Sequence, residues 1–435
     1  MERKICIIGI WHQGAVAAAC LADFGYEVIA TDNDREKIEK LKIGKAPIYE
    51  PGLDDLIKKN LHSKKLKFST DIAGSVKGNR YIFIMFDTKI DENDSTDLDE
   101  IFETFKEIAP NLENDSVIIV SSQVPIGTCD NLFEVIRQLN PKLKFNIAYI
   151  PENLRLGQAI NLFLNPNLPI IGADNNETFE RVKNVLSVIQ NNWKCVSVRT
   201  AEMTKHALNA FLGTTITFGN ELGNLCDELG VDGKQLAEVL RMEPRIGAKA
   251  MLLPGLGFSG GTIARDIQTL RAIGDKCGLQ TTLLDSVWQA NKNQNKIVIK
   301  KIRKIFGTLE GIRVTVLGLT YKPNTSTLRR SASLEIISDL IENGVYVKAY
   351  DPKANKEELA CHKEFDFMEN VYDAVKESNA LVIITPWEEY KNLDFAKIKN
   401  LMIEPLIIDT NNLLDSKQLE EIGYNYIGTG RGKKL

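Results

Sequence analysis

Apolar and polar positions alternate with two different periods along the 435-residue chain. In the first part of the chain, short apolar runs follow one another, and a turn or a helical pattern bounds each of them. The runs are KICIIGI (4–10), EVIATD (27–32), YIFIMF (81–86), SVIIVSS (116–122) and NIAYIP (146–151). Nearly continuous apolar runs are typical of parallel strands that are covered on both faces. With a helical pattern from about Ala15 to Phe24, this part predicts a parallel, doubly wound sheet.

The pattern changes to a helical period near Thr200 and returns to strands after residue 305. The helical region opens with TAEMTKHALNAFLGTTITFGNELGNLCDELG (200–230). Strands return as RVTVLGL (313–319), VYVKAYDP (345–352), ALVIITP (380–386) and PLIIDT (405–410). We therefore predict an α/β fold with two Rossmann-like doubly wound domains joined by a long central helix and a helical region. The predicted boundaries are 1–199, 200–305 and 306–435.

Composition limits the classes of protein to which the chain can belong. It is 43% hydrophobic and 26% charged, with a net charge of -4, which is ordinary for a globular chain with more than one core. The mild acidity argues against nucleic acid or an anionic membrane as the main partner. Seven cysteines without a CxxC pair, and no HExxH, predict neither a disulfide framework nor a metal site.

The same features predict the compartment. A strand follows directly after MERK, and no apolar run reaches the length of a membrane span. Free cysteines suit a reducing environment. We expect a cytoplasmic protein with no membrane segment.

A dinucleotide fingerprint follows the first strand. GIWHQG, from Gly9 to Gly14, stands between a strand and a helix, and Asp32 ends the second strand. Such a turn holds a pyrophosphate at the helix N-terminus, while the acid accepts hydrogen bonds from a ribose and repels a 2'-phosphate, which favours NAD over NADP. The middle glycine is Trp11 here. A turn that only packs strand on helix, and a nucleotide site lost to Trp11, therefore stay open as interpretations.

Two further motifs carry candidate chemistry. PGLGFSGGTIARD (254–266) packs four glycines into seven positions before a helix, which fits a phosphate cradle, a hinge, an active-site wall or a mobile surface turn. It is not a Walker loop, because no Lys-Ser or Lys-Thr follows. MTKHALNAF (203–211) places Lys205 and Asn209 four residues apart on one helix face. The pair fits proton transfer and hydroxyl binding, or an ordinary solvated stripe.

The order and spacing of the motifs resemble the UDP-glucose/GDP-mannose dehydrogenase family over essentially the whole chain. Besides the glycine-rich loop, the matching motifs are IYEPGLDDL (48–56), SSQVPIGT (121–128), IPENLRLGQAINLFLNP (150–166), TKHALNAFL (204–212), PRIGAK (244–249), GLTYKPNTSTLRRS (318–331) and AYDPKA (349–354). The resemblance implies that 1–199 binds NAD, 200–305 forms a helical dimerisation domain and 306–435 binds a nucleotide sugar. It also implies oxidation of the sugar C6 hydroxyl to a carboxylate with two NAD molecules.

The resemblance implies catalytic roles for matching positions. It assigns Glu152 to the hexose and to proton transfer, and Lys205 and Asn209 to the C6 oxygens. It assigns Asp266 to positioning a water or a base. Arg245 matches an arginine that the neighbouring subunit lends to the sugar site, so a homodimer or a higher homo-oligomer is expected.

The resemblance also implies two sets of ligand-binding residues. The substrate set is Arg245, Gly257, Phe258, Ser259, Tyr321 and Lys322, of which the last two lie at the diphosphate, where a cation is needed. The cofactor set is Gly9, Trp11, Gly14, Asp32, Lys37, Thr88, Ser122, Arg265 and Arg329. We expect NAD as cofactor, a UDP-sugar as substrate, and no metal.

The chain departs from the family pattern at the catalytic cysteine, whose position is Thr262. The family's thiolate attacks the C6 aldehyde to form a thiohemiacetal, from which a second hydride leaves. A threonine hydroxyl is far less acidic, and no histidine accompanies it in this motif. Further departures are Arg265 for lysine, Gln123 for threonine, Leu156 for glutamate and Asn411 for arginine.

Two functions follow from this pattern. The first is a nucleotide-sugar oxidoreductase that transfers a hydride to NAD from a secondary or C6 hydroxyl without the covalent step, or that performs a second oxidation through a hydrated aldehyde held by Lys205, Asn209, Glu152 and Asp266. The alternative is an NAD- and nucleotide-sugar-binding or regulatory protein that has lost turnover. A β-hydroxyacid dehydrogenase would share the Rossmann plan but would leave GLTYKPNTSTLRRS unexplained.

Overall fold

The computed structural model describes residues 4–88, 96–190, 192–259 and 262–433. The chain forms two compact units, Met1–Leu208 and Asn209–Leu435. A mainly parallel sheet with helices on both faces forms the centre of each unit. This confirms the predicted α/β fold class with two Rossmann-like sheets, while the three-domain division stays a prediction.

The sheet of the first unit has the strand order β3-β2-β1-β4-β5-β6-β7-β8. Its neighbouring strands pair in parallel, except that β6 and β7 are antiparallel. The reversal of strand order beside β1 creates the crevice where doubly wound sheets bind ligands. The strands are β1 Lys4–Ile8, β2 Glu27–Thr31, β3 Leu66–Ser69, β4 Tyr81–Ile84, β5 Ser116–Val120, β6 Phe145–Tyr149, β7 Ile170–Gly172 and β8 Lys194–Val196.

Helices cover both faces of this sheet and enclose two apolar cores. They are α1 His12–Asp23, α2 Arg35–Lys42, α3 Leu53–His62, α4 Ile72–Ser75, α5 Asp99–Ile108, α6 Thr128–Leu139, α7 Ala159–Leu164 and α8 Asn176–Leu186, with a 3₁₀ turn at Ala109–Asn111. Helix α1 is alanine-rich and buried along most of its length, so it packs closely on the sheet. The long helix α9, Val198–Leu229, begins in this unit and ends in the second, which confirms the predicted central helix.

The second unit begins with a helical region and continues into a parallel sheet with the order β11-β10-β9-β12-β13-β14. Its strands are β9 Arg313–Leu317, β10 Tyr346–Tyr350, β11 Asp366–Phe367, β12 Ala380–Ile383, β13 Leu406–Asp409 and β14 Asn425–Gly428. Its helices after α9 are α10 Gly233–Met242, α11 Ile263–Lys276, α12 Thr282–Gln294, α13 Ile297–Phe306, α14 Ala332–Glu342, α15 Lys356–Leu359, α16 Val371–Val375, α17 Phe395–Leu401 and α18 Ser416–Ile422, with a 3₁₀ segment at Glu388–Asn392.

Polar side chains at the N-termini explain where several helices begin. Asp34, Asp232 and Ser331 each accept a hydrogen bond from a backbone N–H of the following turn, and so begin α2, α10 and α14. Among the described helices, none is both long and apolar enough to cross a membrane.

Candidate active site

The first turn of the first unit depends on its two glycines. Gly9 has a φ of +92°, and a Cβ atom there would lie 2.7 Å from Phe86 N. A Cβ atom on Gly14 would lie 2.0 Å from the Gly9 carbonyl oxygen. Neither position tolerates a side chain, because a real Cβ does not come this close to backbone atoms. The turn therefore brings the start of α1 directly against the end of β1.

The carboxylate of Asp32 closes this turn. Its Oδ2 accepts from Ile10 N at 2.8 Å and from Lys37 Nζ at 2.9 Å, and its Oδ1 accepts from Asp34 N at 3.0 Å. Asp32 is 4% exposed. Asp32 and Lys37, both predicted at the cofactor, thus form an ion pair at the edge of the turn.

A cavity of about 530 Å³ lies beside this turn, and the second unit has a cavity of about 480 Å³. Gly9, Trp11, Asp32 and Lys37 all line it. The Trp11 side chain is 40% exposed and lies under Lys37 Nζ, which is 5.9 Å from the ring centroid. The cavity stays open with Trp11 in place, so the residues present fit a dinucleotide.

The acidic lining of the cavity bears on the choice of cofactor. Among the described residues that line it, Asp32, Asp34, Asp87 and Glu100 stand against one lysine, Lys37. A 2'-phosphate would place further negative charge among these carboxylates. The lining therefore favours NAD over NADP.

Two other predicted cofactor residues use their hydroxyls within the protein. Thr88 Oγ1 donates to Gln123 O at 3.0 Å. Ser122 is buried, with Oγ 3.5 Å from Ile84 O, and its carbonyl accepts from Tyr149 OH at 3.2 Å. Both residues thus fix the strand-end segments around the turn.

Lys205 and Glu152, both predicted at the sugar, lie close together in the first unit. Lys205 is 5% exposed, and its Nζ lies 4.0 Å from Glu152 Oε2. The same ammonium donates to Asn153 Oδ1 at 3.4 Å. Glu152 Oε1 accepts from Leu154 N, which fixes the carboxylate within its own loop. A buried ammonium beside a carboxylate is suited to moving a proton.

A second buried carboxylate, Glu50, was missed by the sequence reasoning. It accepts from Gly157 N and Ala159 N, each at 2.8 Å, and from His12 Nε2 at 3.1 Å. It therefore ties the loop that carries Glu152 to the first residue of α1. The motif IYEPGLDDL signalled the family but not this contact.

A neighbouring chain of hydrogen bonds was also missed. Gln13 Nε2 donates to Ser121 Oγ at 2.6 Å, and Ser121 Oγ donates to Ile150 O at 2.9 Å. Gln13 and Ser121 are both buried. The cofactor turn is thus linked to the strand end that precedes Glu152.

Asn209 and Asp266 come together in the second unit. Asn209 Nδ2 donates to Asp266 Oδ2, and Asp266, in the first turn of α11, is 0% exposed. Thr262 is the exposed residue that precedes α11, and its carbonyl accepts from Asp266 N at 3.2 Å. The single histidine of this unit, His362, hydrogen-bonds Glu364 at 2.8 Å. Along α9, Lys205 and Asn209 are four residues apart, as predicted; their joint action on one sugar stays a prediction.

The glycine-rich loop lines a pocket of about 480 Å³ in the second unit. The pocket contains five of the predicted substrate residues, which are Gly257, Phe258, Ser259, Tyr321 and Lys322. Arg241, Thr385 and Asn411 line the same pocket. The described part of the loop is therefore a pocket wall. Gly260 and Gly261 lie outside the described residues.

Four amide side chains hold the loop backbone in place, and none was predicted. Asn220 accepts from Gly255 N at 2.8 Å and donates to Leu256 O at 3.0 Å, so it binds two consecutive residues. Asn291 accepts from Phe258 N at 2.7 Å and donates to Phe258 O at 3.1 Å.

The other two amides complete this arrangement, which we call the amide clamp (Asn220, Asn291, Gln294 and Asn295). Gln294 donates to Gly255 O at 2.7 Å, and Asn295 accepts from Gly257 N at 3.3 Å. A Cβ atom on Gly257 would lie 2.7 Å from Asn291 Oδ1, so glycine is required where the clamp approaches the loop.

The remaining predicted residues lie at different places. Lys322 Nζ is 5.3 Å from the Tyr321 ring centroid, at the pocket. Arg329 is exposed, and its backbone N–H donates to Thr327 Oγ1 at 3.1 Å. Arg265 lies in the first turn of α11. Arg245 is exposed and pairs with Glu243 at 2.7 Å. Contacts of the last three with cofactor or with a neighbouring subunit stay predictions.

Asn411, where the resemblance implies an arginine, uses its amide within the protein. Its Nδ2 donates to Ile384 O at 2.6 Å and to Thr410 Oγ1 at 3.0 Å. Its amide is thus used to hold neighbouring strand ends rather than to present a charge to the pocket.

A dinucleotide crevice in one unit and a loop-walled pocket with Lys322 in the other fit the class of NAD-dependent nucleotide-sugar dehydrogenases. Family models match in chain order: the NAD binding domain over 3–190, the central domain over 199–293 and the UDP binding domain over 315–416. The chain belongs to the UDP-glucose/GDP-mannose dehydrogenase family. The predicted family and the predicted cofactor, NAD, are confirmed.

Individual relatives agree with this assignment. The chain is 33% identical over 431 residues to UDP-glucose 6-dehydrogenase TuaD of Bacillus subtilis (strain 168), covering 99% of this chain and 93% of that protein. It is 34% identical over 435 residues to UDP-glucose 6-dehydrogenase of Rhizobium meliloti (strain 1021), covering 98% and 99%. The solved structure of a UDP-glucose dehydrogenase from Pyrobaculum islandicum superposes with a TM-score of 0.87 at 26% identity, covering 99% of this chain and 98% of that one.

Proposed function

We propose that the chain transfers a hydride from the C6 hydroxyl of a UDP-sugar to NAD without a covalent bond between enzyme and sugar. The observation that carries this proposal is the presence of the Lys205–Glu152 pair and the Asn209–Asp266 pair, together with an exposed Thr262 where the family resemblance implies a cysteine. The UDP binding domain match supports a UDP-sugar. The assignment of both pairs to one sugar rests on the family resemblance.

Bound NAD would accept the hydride that leaves C6. The chain's own residues have the remaining tasks. Gly9 and the start of α1 hold the pyrophosphate, and Asp32 orients a ribose. Lys205, as the neutral amine, would take the hydroxyl proton and become an ammonium whose charge Glu152 balances, and Asn209 would hold the C6 oxygen through a hydrogen bond.

The product distinguishes one oxidation from two. The purified protein is incubated with NAD and a panel of UDP-, GDP-, dTDP- and CDP-sugars, and the sugar is analysed by mass spectrometry. We expect a UDP-sugar to lose two hydrogens, as in an aldehyde. A carboxylate would add one oxygen as well, and would require a hydrated aldehyde held by the same residues. An unchanged panel would contradict the proposal.

The role of Thr262 can be tested separately. An aliphatic hydroxyl is many pKa units less acidic than a thiol, and each unit corresponds to about 1.4 kcal/mol. Thr262→Ala should therefore retain much of the rate, while Thr262→Cys should move the product towards the doubly oxidised sugar. A trapped Thr262 ester, or release of two NADH per sugar that Thr262→Ala abolishes, would show that the hydroxyl is the nucleophile.

Thiol alkylation provides a second test. Burial raises the pKa of the Cys20 thiol to about 12 and raises that of Cys6 still further, so neither should react. Cys195, Cys277 and Cys361 are exposed. We expect iodoacetamide to modify these three with little loss of activity, whereas Thr262→Cys should become sensitive. Rapid inactivation of the wild-type enzyme would instead place a thiol in the reaction.

We also propose that the protein is a homodimer in which Arg245 completes the partner's sugar site. Large apolar side chains of α9 are exposed at Phe211, Phe218, Leu225 and Leu229, at spacings that place them on one helix face. Sedimentation at micromolar concentration should show a dimer, and Phe218→Glu should dissociate it. A wild-type monomer that turns over substrate would contradict the shared site.

The second candidate function is binding without turnover. It is favoured by Thr262 at the position where the resemblance implies a cysteine, and by the use of the Asn411 amide in hydrogen bonds to Ile384 and Thr410. Calorimetry that shows binding of both NAD and UDP-sugar, with no NADH formed, would establish it.

A further inference from the structure

The loop that lines the pocket begins at Pro254, and this ring lies in a socket made of three glycines. A Cβ atom on Gly223 of α9 would lie 2.4 Å from Pro254 Cβ. A Cβ atom on Gly430 would lie 2.6 Å from both Pro254 Cβ and Cγ, and one on Gly233 would lie 3.1 Å from Pro254 Cγ. The position of Pro254 is therefore set by three segments that are distant in sequence.

Gly430 belongs to the segment Gly428–Lys433, which begins at the last residue of β14 and which we call the C-terminal strap. This segment lies beyond the residues matched by the UDP binding domain, 315–416. Asp227, near the end of α9, accepts from Gly430 N at 3.1 Å and from Gly432 N at 3.2 Å. Gly430 O in turn accepts from Gly233 N at 2.7 Å. The strap is thus hydrogen-bonded through its backbone at both glycines.

Charged side chains hold the strap at its two ends. Lys301 of α13 is buried, donates to Gly428 O at 2.7 Å and pairs with Asp227 Oδ2 at 3.0 Å. Burial lowers the pKa of the Lys301 ammonium, and Asp227 opposes that shift. Arg431 pairs with Asp232, the residue that caps α10, at 3.2 Å. A buried ion pair with these additional hydrogen bonds fixes geometry more than it adds stability.

We propose that the C-terminal strap positions Pro254, and through it the pocket loop, so that Gly430 and Asp227 are positioning residues for substrate binding. The loop needs two supports because the amide clamp binds residues 255–258 and leaves Pro254 to the glycine socket. Part of this proposal, the effect on sugar binding, rests on the proposed function. The effect on the loop itself does not.

The alanine pair Gly430→Ala and Gly278→Ala separates steric pressure on Pro254 from simple backbone strain. Gly430 has a φ of +66° and Gly278 a φ of +67°, but a Cβ atom on Gly278 has open space around it. Both variants therefore carry the cost of an alanine at positive φ, and only Gly430→Ala pushes on Pro254.

Amide hydrogen exchange reads the loop directly. We expect Gly430→Ala to speed exchange at Gly255, Gly257 and Phe258, whose N–H groups bind the amide clamp, and Gly278→Ala to leave them unchanged. Exchange in β9 should be the same in both variants. Equal exchange at the loop in the two variants overturns the proposal.

Steady-state kinetics then measure the effect on substrate binding in the pocket. Gly430→Ala should raise the KM for the nucleotide sugar on the order of tenfold, with the KM for NAD and kcat changed about twofold or less. If Gly430→Ala does not fold, removal of residues 430–435 tests the same point. If the KM for the sugar is the same in Gly430→Ala and Gly278→Ala, the proposed role of the C-terminal strap is wrong. Calorimetry with UDP on the wild-type protein keeps the two proposals apart, because absence of UDP binding would refute the proposed function while the exchange result still decides the strap.

Discussion

The two units build the same turn at the end of their first strands and complete it differently. Gly9 follows β1 and Gly318 follows β9, each with a φ of +92°. In each unit the next backbone N–H donates to an aspartate at the end of the neighbouring strand, at 2.8 Å to Asp32 and 2.7 Å to Asp351. Both aspartates are 4% exposed. In both units, the carboxylate therefore accepts a hydrogen bond from the backbone of the turn, and this is its shared role.

The two aspartates differ in the other groups that surround their carboxylates. Asp351 Oδ2 also accepts from Thr320 N at 3.1 Å, from Thr320 Oγ1 at 3.2 Å and from Trp387 Nε1 at 3.1 Å. Asp32 Oδ2 has Lys37 beside it and lines an open cavity. An acid at the end of the second strand therefore indicates the turn, and the neighbouring side chains decide whether a nucleotide can reach it.

The largest expected effect is on stability. Asp351→Ala would leave buried donors of Thr320 and Trp387 unpaired, which should lower the free energy of unfolding by about 3 kcal/mol or more. Asp32→Ala is the matched control and should lower it by about 1–2 kcal/mol, since Lys37 can turn to solvent. Chemical denaturation measures both. Equal losses of unfolding free energy would contradict the contrast between Asp351, which is surrounded by donors, and Asp32, which lines a cavity.

The next effect is on cofactor choice. Asp32→Ala should raise the KM for NAD about tenfold and narrow the preference over NADP, because the ribose loses its acceptor and a 2'-phosphate loses a like charge. Steady-state kinetics with both cofactors checks this, with Asp32→Asn as the variant that keeps one acceptor. An unchanged preference would show that Asp32 only caps the turn, as Asp351 does.

Each unit also has a lysine that lines its cavity, Lys37 in the first and Lys322 in the second. Lys37→Met should raise the KM for NAD about fivefold, and Lys322→Met should raise the KM for the nucleotide sugar by a similar factor. Each variant serves as the control for the other. If either change altered both KM values equally, the two lysines would not serve separate ligands.

The smallest effect is expected at the indole that seals Asp351. Trp387→Phe keeps most of the ring but removes one N–H donor, which should cost about 1 kcal/mol of unfolding free energy. Thermal unfolding measures it. A double variant with Asp351→Ala should lose nothing further through this hydrogen bond, and additive losses would argue against the contact.

Most of the fold was predictable because its strands are apolar runs of four or more residues. Strands such as β1, β5 and β12 are buried on both faces and have a clear local pattern. Five of the described strands were missed, which are β3, β7, β8, β11 and β14. The strands β3 and β14 mix polar with apolar residues over only four positions, and the other three are shorter still, so none has a clear period. Their pairing depends on neighbours that the sequence does not reveal.

The candidate site was predictable where it depends on a motif. Lys205 and Asn209 share a helix, and Gly9 and Asp32 share a fingerprint, so each pair was found. Glu50 was missed because it binds backbone groups more than a hundred residues further along the chain, at a sequence separation of 107 for Gly157. The amide clamp was missed for the same reason, since asparagine and glutamine on a helix predict no particular partner.

The amide clamp has a consequence for how a pH–rate profile of this enzyme would be interpreted. Amide side chains do not titrate, so the groups that bind the pocket loop at residues 255–258 stay neutral and keep the same donors and acceptors at every working pH. A loop held by carboxylates or histidines would loosen as they changed protonation. Here the side chains that bind residues 255–258 would not themselves cause a change of rate with pH.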